Sequence, residues 1–72
     1  MGSLSHKLVA WRRKRRLTQR EAAALLGVTQ PTWCAWETGS VVPRSVYVRR
    51  LIEITDGEIR LEDFETDGPT KS

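Results

Sequence analysis

The sequence predicts an all-α fold of four to five short helices in one domain. Three observations predict it. The stretch from Thr18 to Gly39, TQREAAALLGVTQPTWCAWETG, carries helix start and stop signals twice over. Outside it, apolar residues recur at helical spacing: Leu8 with Trp11, and Val48 with Leu51 and Ile52. The chain has 72 residues, enough for one small domain near the lower limit for folding on a single core. The expected layout is a flexible N-terminus over residues 1–4, the domain over 5–64 and a disordered tail over 65–72.

Ser3 or Ser5 caps a first helix of about ten residues. Leu8 and Trp11 share one of its faces and belong to the core. The helix closes on five consecutive cations, Arg12 to Arg16. The helix dipole favours a cationic last turn, so part of the run has a structural reason. Arg12, Arg15 and Arg16 lie near one another, while Arg13 and Lys14 diverge. Leu17 anchors the turn that follows.

The second helix opens on a capping box, with Thr18 as N-cap and Glu21 three residues later. Ala22, Ala23, Ala24, Leu25 and Leu26 suit a helix. Gly27 ends it where a left-handed backbone is needed. Three alanines also leave room for another helix to cross closely. Thr29 caps the third helix, and Pro31 sits in its first turn, where a missing N–H costs nothing. Two helices joined so tightly form a helix-turn-helix unit over residues 18–39. On the third helix, Trp33 and Trp36 lie about 60° apart and mark the core face. Pro31, Cys34, Ala35 and Thr38 point the other way, with Gln30 and Thr32 beside them.

Gly39 terminates the third helix, and Pro43 introduces a fourth over about Arg44 to Thr55. Val48, Leu51, Ile52 and Ile54 form its apolar stripe, with Val46 or Tyr47 alongside. Arg49 and Arg50 take the polar side. Asp56-Gly57 is a turn. Ile59 and then one helical turn, Leu61 to Phe64, bring Phe64 onto the core. Residues 65–72 contain no large apolar side chain, which predicts disorder.

Gln19, Ala23, Gly27, Val28, Trp33, Trp36, Glu37 and Gly39 match, without a gap, the pattern Q-x3-A-x3-G-V-x4-hydrophobic-x2-W-E-x-G. In this the stretch resembles the lambda-repressor/Cro (XRE-type) helix-turn-helix domains. The resemblance runs from about Leu8 to Leu51 and more loosely to Phe64, where ITDGEIRLEDF is similar to the end of small phage Cro-type repressors. Trp33 departs from the family, which usually has Ile or Val there. The resemblance implies a compact lambda-repressor-like fold that inserts the N-terminal end of its third helix into the major groove. It also implies that Arg12 and Glu37 form a structural ion pair.

The charge distribution agrees with a nucleic-acid partner. Residues 1–52 hold ten Lys/Arg and two Asp/Glu, a balance of +8, whereas residues 53–72 hold two Lys/Arg and seven Asp/Glu, a balance of −5. A basic body is the footprint of a nucleic-acid binder. The acidic end either keeps that footprint off one face or is simply a solvated tail. The cationic run alone also fits nuclear localisation or heparin binding, but its place directly before the helix-turn-helix favours DNA phosphates.

An enzyme is not expected. His6 is the only histidine, and no nucleophile set, metal-ligand set or phosphate loop is present. Cys34 is the single cysteine, which excludes an internal disulfide and fits a reducing compartment. Met1-Gly2 resembles a myristoylation start, but His6 stands where Ser or Thr is needed. No signal-peptide core or transmembrane run is visible. The expected protein is a cytoplasmic, bacterial or phage-encoded repressor without cofactor or metal. It binds double-stranded DNA at a pseudo-palindromic operator as a homodimer. The alternative is an antitoxin-type protein that binds a toxin and represses its own operon.

The base contacts are expected from Gln30, Pro31, Thr32, Cys34 and Ala35. Gln suits adenine, and the apolar members suit a thymine methyl. Phosphate contacts are expected from Gln19, Arg20, Thr29, Thr38, Ser40 and Arg44, joined by Arg12 and Arg16. Ile54, Ile59 and Phe64 either supply the dimer surface or close the core of the monomer. Two tryptophans at helical spacing are read as core and not as a stacking platform for single strands.

Overall fold

The computed structural model describes residues 3–64; the tail expected over 65–72 lies outside the described residues. Among the described residues the elements are α1 (Ser3–Lys14), α2 (Gln19–Leu26), α3 (Gln30–Thr38), α4 (Ser45–Ile54) and a 3-10 turn (Leu61–Phe64), with no strand. The fold is all-α, as the spacing of apolar residues predicts. The boundary expected at residue 5 moves, because α1 begins at Ser3 and its Leu4 packs against the core. Likewise α4 begins one residue later than expected, with Arg44 as its N-cap.

Each helix end has a chemical cause. The Arg16 N–H donates to the Arg13 carbonyl and the Leu17 N–H to the Arg12 carbonyl, a Schellman closure of α1. Arg16 takes the left-handed position of that motif, at φ 59°, without being glycine. The capping box at Thr18 and Glu21 is complete in both directions. Gly27 closes α2 at φ 73° and Gly39 closes α3 at φ 83°, conformations that only glycine adopts at little cost. At α3 the expectation needs correction. Thr29 occupies the N-cap position but makes no side-chain cap; its hydroxyl lies 3.0 Å from that of Thr32 instead.

The core is a run of aromatic rings across three helices. Trp11 meets Trp33 at 6.3 Å between centroids, Trp33 meets Trp36 at 5.5 Å, and Trp36 meets Tyr47 at 5.3 Å. All three contacts are tilted, an arrangement the ring quadrupoles favour. Leu8, Ala22, Ala23, Leu26, Leu51 and Ile59 complete the buried set. Ala22 and Ala23 are the small side chains that let α2 and α3 approach closely; Ala24 faces solvent.

The C-terminal segment folds back onto this core. Asp56 and Gly57 both adopt positive φ, which makes the turn. The buried Thr55 hydroxyl donates to the Leu51 carbonyl at 2.7 Å and accepts from the Ile59 N–H at 3.2 Å. Ile59 is fully buried, and Ile54 and Phe64 pack on the same cluster. All three thus take part in the monomer core, Ile59 buried and Ile54 and Phe64 partly buried. On α4 the expected single stripe is divided. Tyr47, Leu51 and Ile54 face inward. Val48 and Ile52, with Ser45, Arg49, Glu53 and Leu61, line an open apolar groove of about 400 Å³.

Candidate nucleic-acid interface

Glu37, near the C-terminal end of α3, is the centre of the arrangement. Its carboxylate accepts from Arg12 Nε at 2.6 Å and Nη2 at 3.4 Å, from Gln19 Nε2 at 2.9 Å and from Trp33 Nε1 at 2.6 Å. Arg12 Nη1 also donates to the Leu17 carbonyl at 2.9 Å. One carboxylate thus ties α1, α2 and α3 together. Burial alone would raise its pKa. The hydrogen bonds from Arg12, Gln19 and Trp33, with the charge of Arg12, outweigh that and hold the carboxyl below its ordinary value.

The network reaches the surface through Gln19. Glu37 can only accept, so the amide nitrogen of Gln19 faces it and the amide oxygen faces away. That oxygen receives Nε2 of Gln30 at 3.4 Å. The first residues of α2 and α3 are therefore joined side chain to side chain. Gln30 keeps its carbonyl oxygen and one N–H for an external group, and Gln19 keeps one N–H.

The other candidates separate by exposure. Gln30 and Pro31 are exposed at the start of α3; Thr32, Cys34 and Ala35 are half-buried. Without a side-chain cap, the first turn of α3 presents free backbone N–H groups next to the Thr29 and Thr32 hydroxyls. At the far end, the Thr38 and Ser40 hydroxyls lie 3.0 Å apart on the surface, and Arg44 is exposed after them. Arg16 and Arg20 are exposed as well. Arg12 differs from them: three of its five N–H groups are spent inside the protein, and its side chain is only 16% exposed.

The cations divide in the same way. Lys14 pairs with Glu58 at 2.8 Å and Lys7 with Asp63 at 3.1 Å, so the acidic C-terminal segment neutralises lysines of α1. Among the described residues, Arg13, Arg15, Arg16, Arg20 and Arg44 have no carboxylate partner. Arg15 instead lies over the Trp11 ring at 5.8 Å.

A family model described as a helix-turn-helix domain matches residues 3–58. The chain belongs to this helix-turn-helix family. Membership places it among DNA-binding regulators with double-stranded DNA as partner, and domains of this family are typically non-enzymatic. A search of curated proteins and a search of solved structures each find no match. No helix among the described residues is long and apolar enough to cross a membrane. No cluster of His, Cys, Asp or Glu suited to a metal ion occurs among them.

Three parts of the helix-turn-helix scaffold escape the sequence reading. Trp33 is a hydrogen-bond donor to Glu37 as well as a core side chain, and the i, i+4 spacing was the available signal. Gln19 is an internal strut in addition to being a surface residue. Asp63, to which the spacing assigns no role, is itself buried.

Proposed function

We propose that this helix-turn-helix protein is a sequence-specific repressor of the lambda-repressor/Cro (XRE) type. It acts as a homodimer on a pseudo-palindromic operator in a bacterial cytoplasm. The observation that carries the reading is the run of side-chain contacts behind the start of α3. Gln30 leans on Gln19, Gln19 on Glu37, and Glu37 on Arg12 and Trp33. A side chain that discriminates base edges has to be held in register, and this chain of contacts supplies that.

In this reading Gln30 addresses an adenine through N6 and N7, and Pro31, Cys34 and Ala35 line the groove for thymine methyls, with Thr32 at their edge. The open N–H groups at Thr29 and the start of α2 at Gln19 receive phosphates. Arg16, Arg20, Thr38, Ser40 and Arg44 fix the protein on the backbone, with Arg12 contributing its two remaining N–H groups. In this reading, repression follows from occupancy of a promoter. The antitoxin reading draws on one observation, the exposed apolar groove on α4.

Selection of bound sequences from a random duplex pool tests the proposal. An A·T-rich, two-fold-related consensus is expected. Gln30→Ala should cost about 1–3 kcal/mol on the best site and relax one base position. A uniform loss on all sequences would move Gln30 from base contact to phosphate contact.

A further inference from the structure

We propose that the groove along α4 is the face on which two copies of this chain pair, with the two α4 helices antiparallel about a two-fold axis. The inference rests on the dimeric reading above and names its surface. Val48 and Ile52 form the floor with Leu61, which is 58% exposed in the monomer. Val48 and Ile52 are half-buried, so together with Leu61 they offer apolar contact to a second helix laid along α4.

The rim says which partner fits. Arg49 and Glu53 flank the floor one turn apart, and neither has an oppositely charged partner among the described residues. Arg before Glu at i, i+4 is the weaker orientation for pairing within a helix. Glu53 also sits in the last turn of α4, where a carboxylate opposes the helix dipole. A second copy running antiparallel answers each point. It brings its Arg49 to this Glu53 and its Glu53 to this Arg49. It also sets the positive N-terminal end of its helix beside the negative C-terminal end. A surface that complements itself under two-fold rotation is what an isologous dimer requires. The chain's own C-terminal residues do not fit, because positions 65–72, ETDGPTKS, offer no large apolar side chain to fill the floor.

The test is sedimentation equilibrium of the full chain without DNA. The wild type should dimerise in a concentration-dependent way. Arg49→Glu and Glu53→Arg should each weaken the dimer by about tenfold or more, since each sets like charges together twice per dimer. The double variant Arg49→Glu/Glu53→Arg should return close to wild type. An equimolar mixture of the two single variants should associate more tightly than either alone. Glu53→Arg improves the match to the helix dipole, so its thermal melt should not fall below that of wild type, and that melt separates a loss of association from unfolding. A wild type that stays monomeric up to its solubility limit overturns the proposal, as do single variants that associate unchanged. Binding to a random-sequence duplex at low salt is read in parallel on wild type and on the charge-neutral double variant. Failure of both to bind there would sink the DNA reading and leave the sedimentation result standing.

Discussion

Two buried carboxylates pair with α1, Glu37 at Arg12 in its last turn and Asp63 at Lys7 in its first half, and they are built differently. Glu37 is 5% exposed and its partner Arg12 only 16%. Asp63 is 7% exposed, but its partner Lys7 is 40% exposed. Glu37 takes all its hydrogen bonds from side chains, on three helices. Asp63 accepts from Lys7 and also from a backbone group, the N–H of Arg60 at 2.8 Å, at the start of its own turn. The first carboxylate joins distant parts of the chain and sets the attitude of α3. The second closes a local turn and fastens it to α1. When the Arg12 charge is lost, Glu37 keeps only the neutral donors of Gln19 and Trp33 in a buried place. When the Lys7 charge is lost, Asp63 keeps the Arg60 N–H, on a side that solvent already reaches.

The largest expected effect follows at Glu37. Glu37→Ala strands the Arg12 charge and leaves the Trp33 and Gln19 donors without an acceptor. Breaking a buried pair in this way costs about 3–5 kcal/mol. A domain of this size has little more than that in total, so the variant should be largely unfolded at body temperature. It should lose DNA binding although no groove-facing atom has changed. Replacing Arg12 and Glu37 together by Met and Leu removes the stranded charge and should recover part of the stability. Recovery stays incomplete because the Trp33 N–H remains buried and unpaired, at about 1–3 kcal/mol. Thermal melts of the single and double variants measure this. A Glu37→Ala melt within a few degrees of wild type would erase the contrast between the two sites.

Acid is a graded version of the same experiment. Burial would raise both carboxyls. At Glu37 the bonds from Arg12, Gln19 and Trp33 win; at Asp63 the Arg60 N–H and Lys7 win, so both lie below their ordinary values. The unfolded chain then takes up protons first as pH falls. The stability these groups contribute is fully present above the ordinary carboxylate range of about pH 4, and is lost as pH drops through the lower folded values. Urea midpoints between neutral pH and pH 3 should be flat at first and then fall. The fall should be shallower in the Arg12/Glu37 apolar double variant. An equal slope would mean that Glu37 contributes nothing to the acid limb.

How much of this was legible in the sequence depended on the range of the interaction. The capping box at Thr18, the stops at Gly27 and Gly39 and the tryptophan face of α3 are local, and spacing reveals local structure. The Arg12–Glu37 pairing came through resemblance, since no spacing rule links residues 25 positions apart. The burial of Asp63 depends on the chain returning over 56 positions to Lys7, and nothing local announces that. The divided face of α4 was missed for a related reason. Val48, Leu51 and Ile52 read as one stripe until the turn at Leu61 shows that only part of it faces the core. Of the candidate interface, the exposure of Gln30 and Pro31 at the start of α3 follows from helix spacing, but the strut from Gln30 through Gln19 to Glu37 does not, because amide contacts leave no periodic trace.

Asp63→Ala comes next in size. It removes a buried acceptor from the Arg60 N–H and from Lys7, and a cost of about 1–3 kcal/mol is expected. The loss should stay local. Hydrogen exchange should rise over residues 59–64, while the amides of α2 and α3 keep their protection. DNA binding by the monomer should survive. Self-association should weaken, because the turn that Asp63 closes carries Leu61 into the α4 groove. Loosening of α3 in this variant would show that the two carboxylates belong to one cooperative unit.

Lys7→Ala should have the smallest effect and is the sharpest test of the contrast. Its ammonium is 3.1 Å from Asp63, but the side chain is 40% exposed and screened by solvent. Pairs of that kind contribute about 0–1 kcal/mol. After its removal Asp63 still holds the Arg60 N–H and closes its turn. The Lys7→Ala melt should therefore lie close to wild type and well above that of Asp63→Ala, with the difference unaffected by added salt. The corresponding cut at the other site, Arg12→Ala, should fall near Glu37→Ala, because it leaves a buried carboxylate with only the neutral donors of Gln19 and Trp33. Equal losses for Lys7→Ala and Arg12→Ala would show that exposure of the cation does not govern these pairs. The distinction would then have to rest on the Trp33 and Gln19 donors alone.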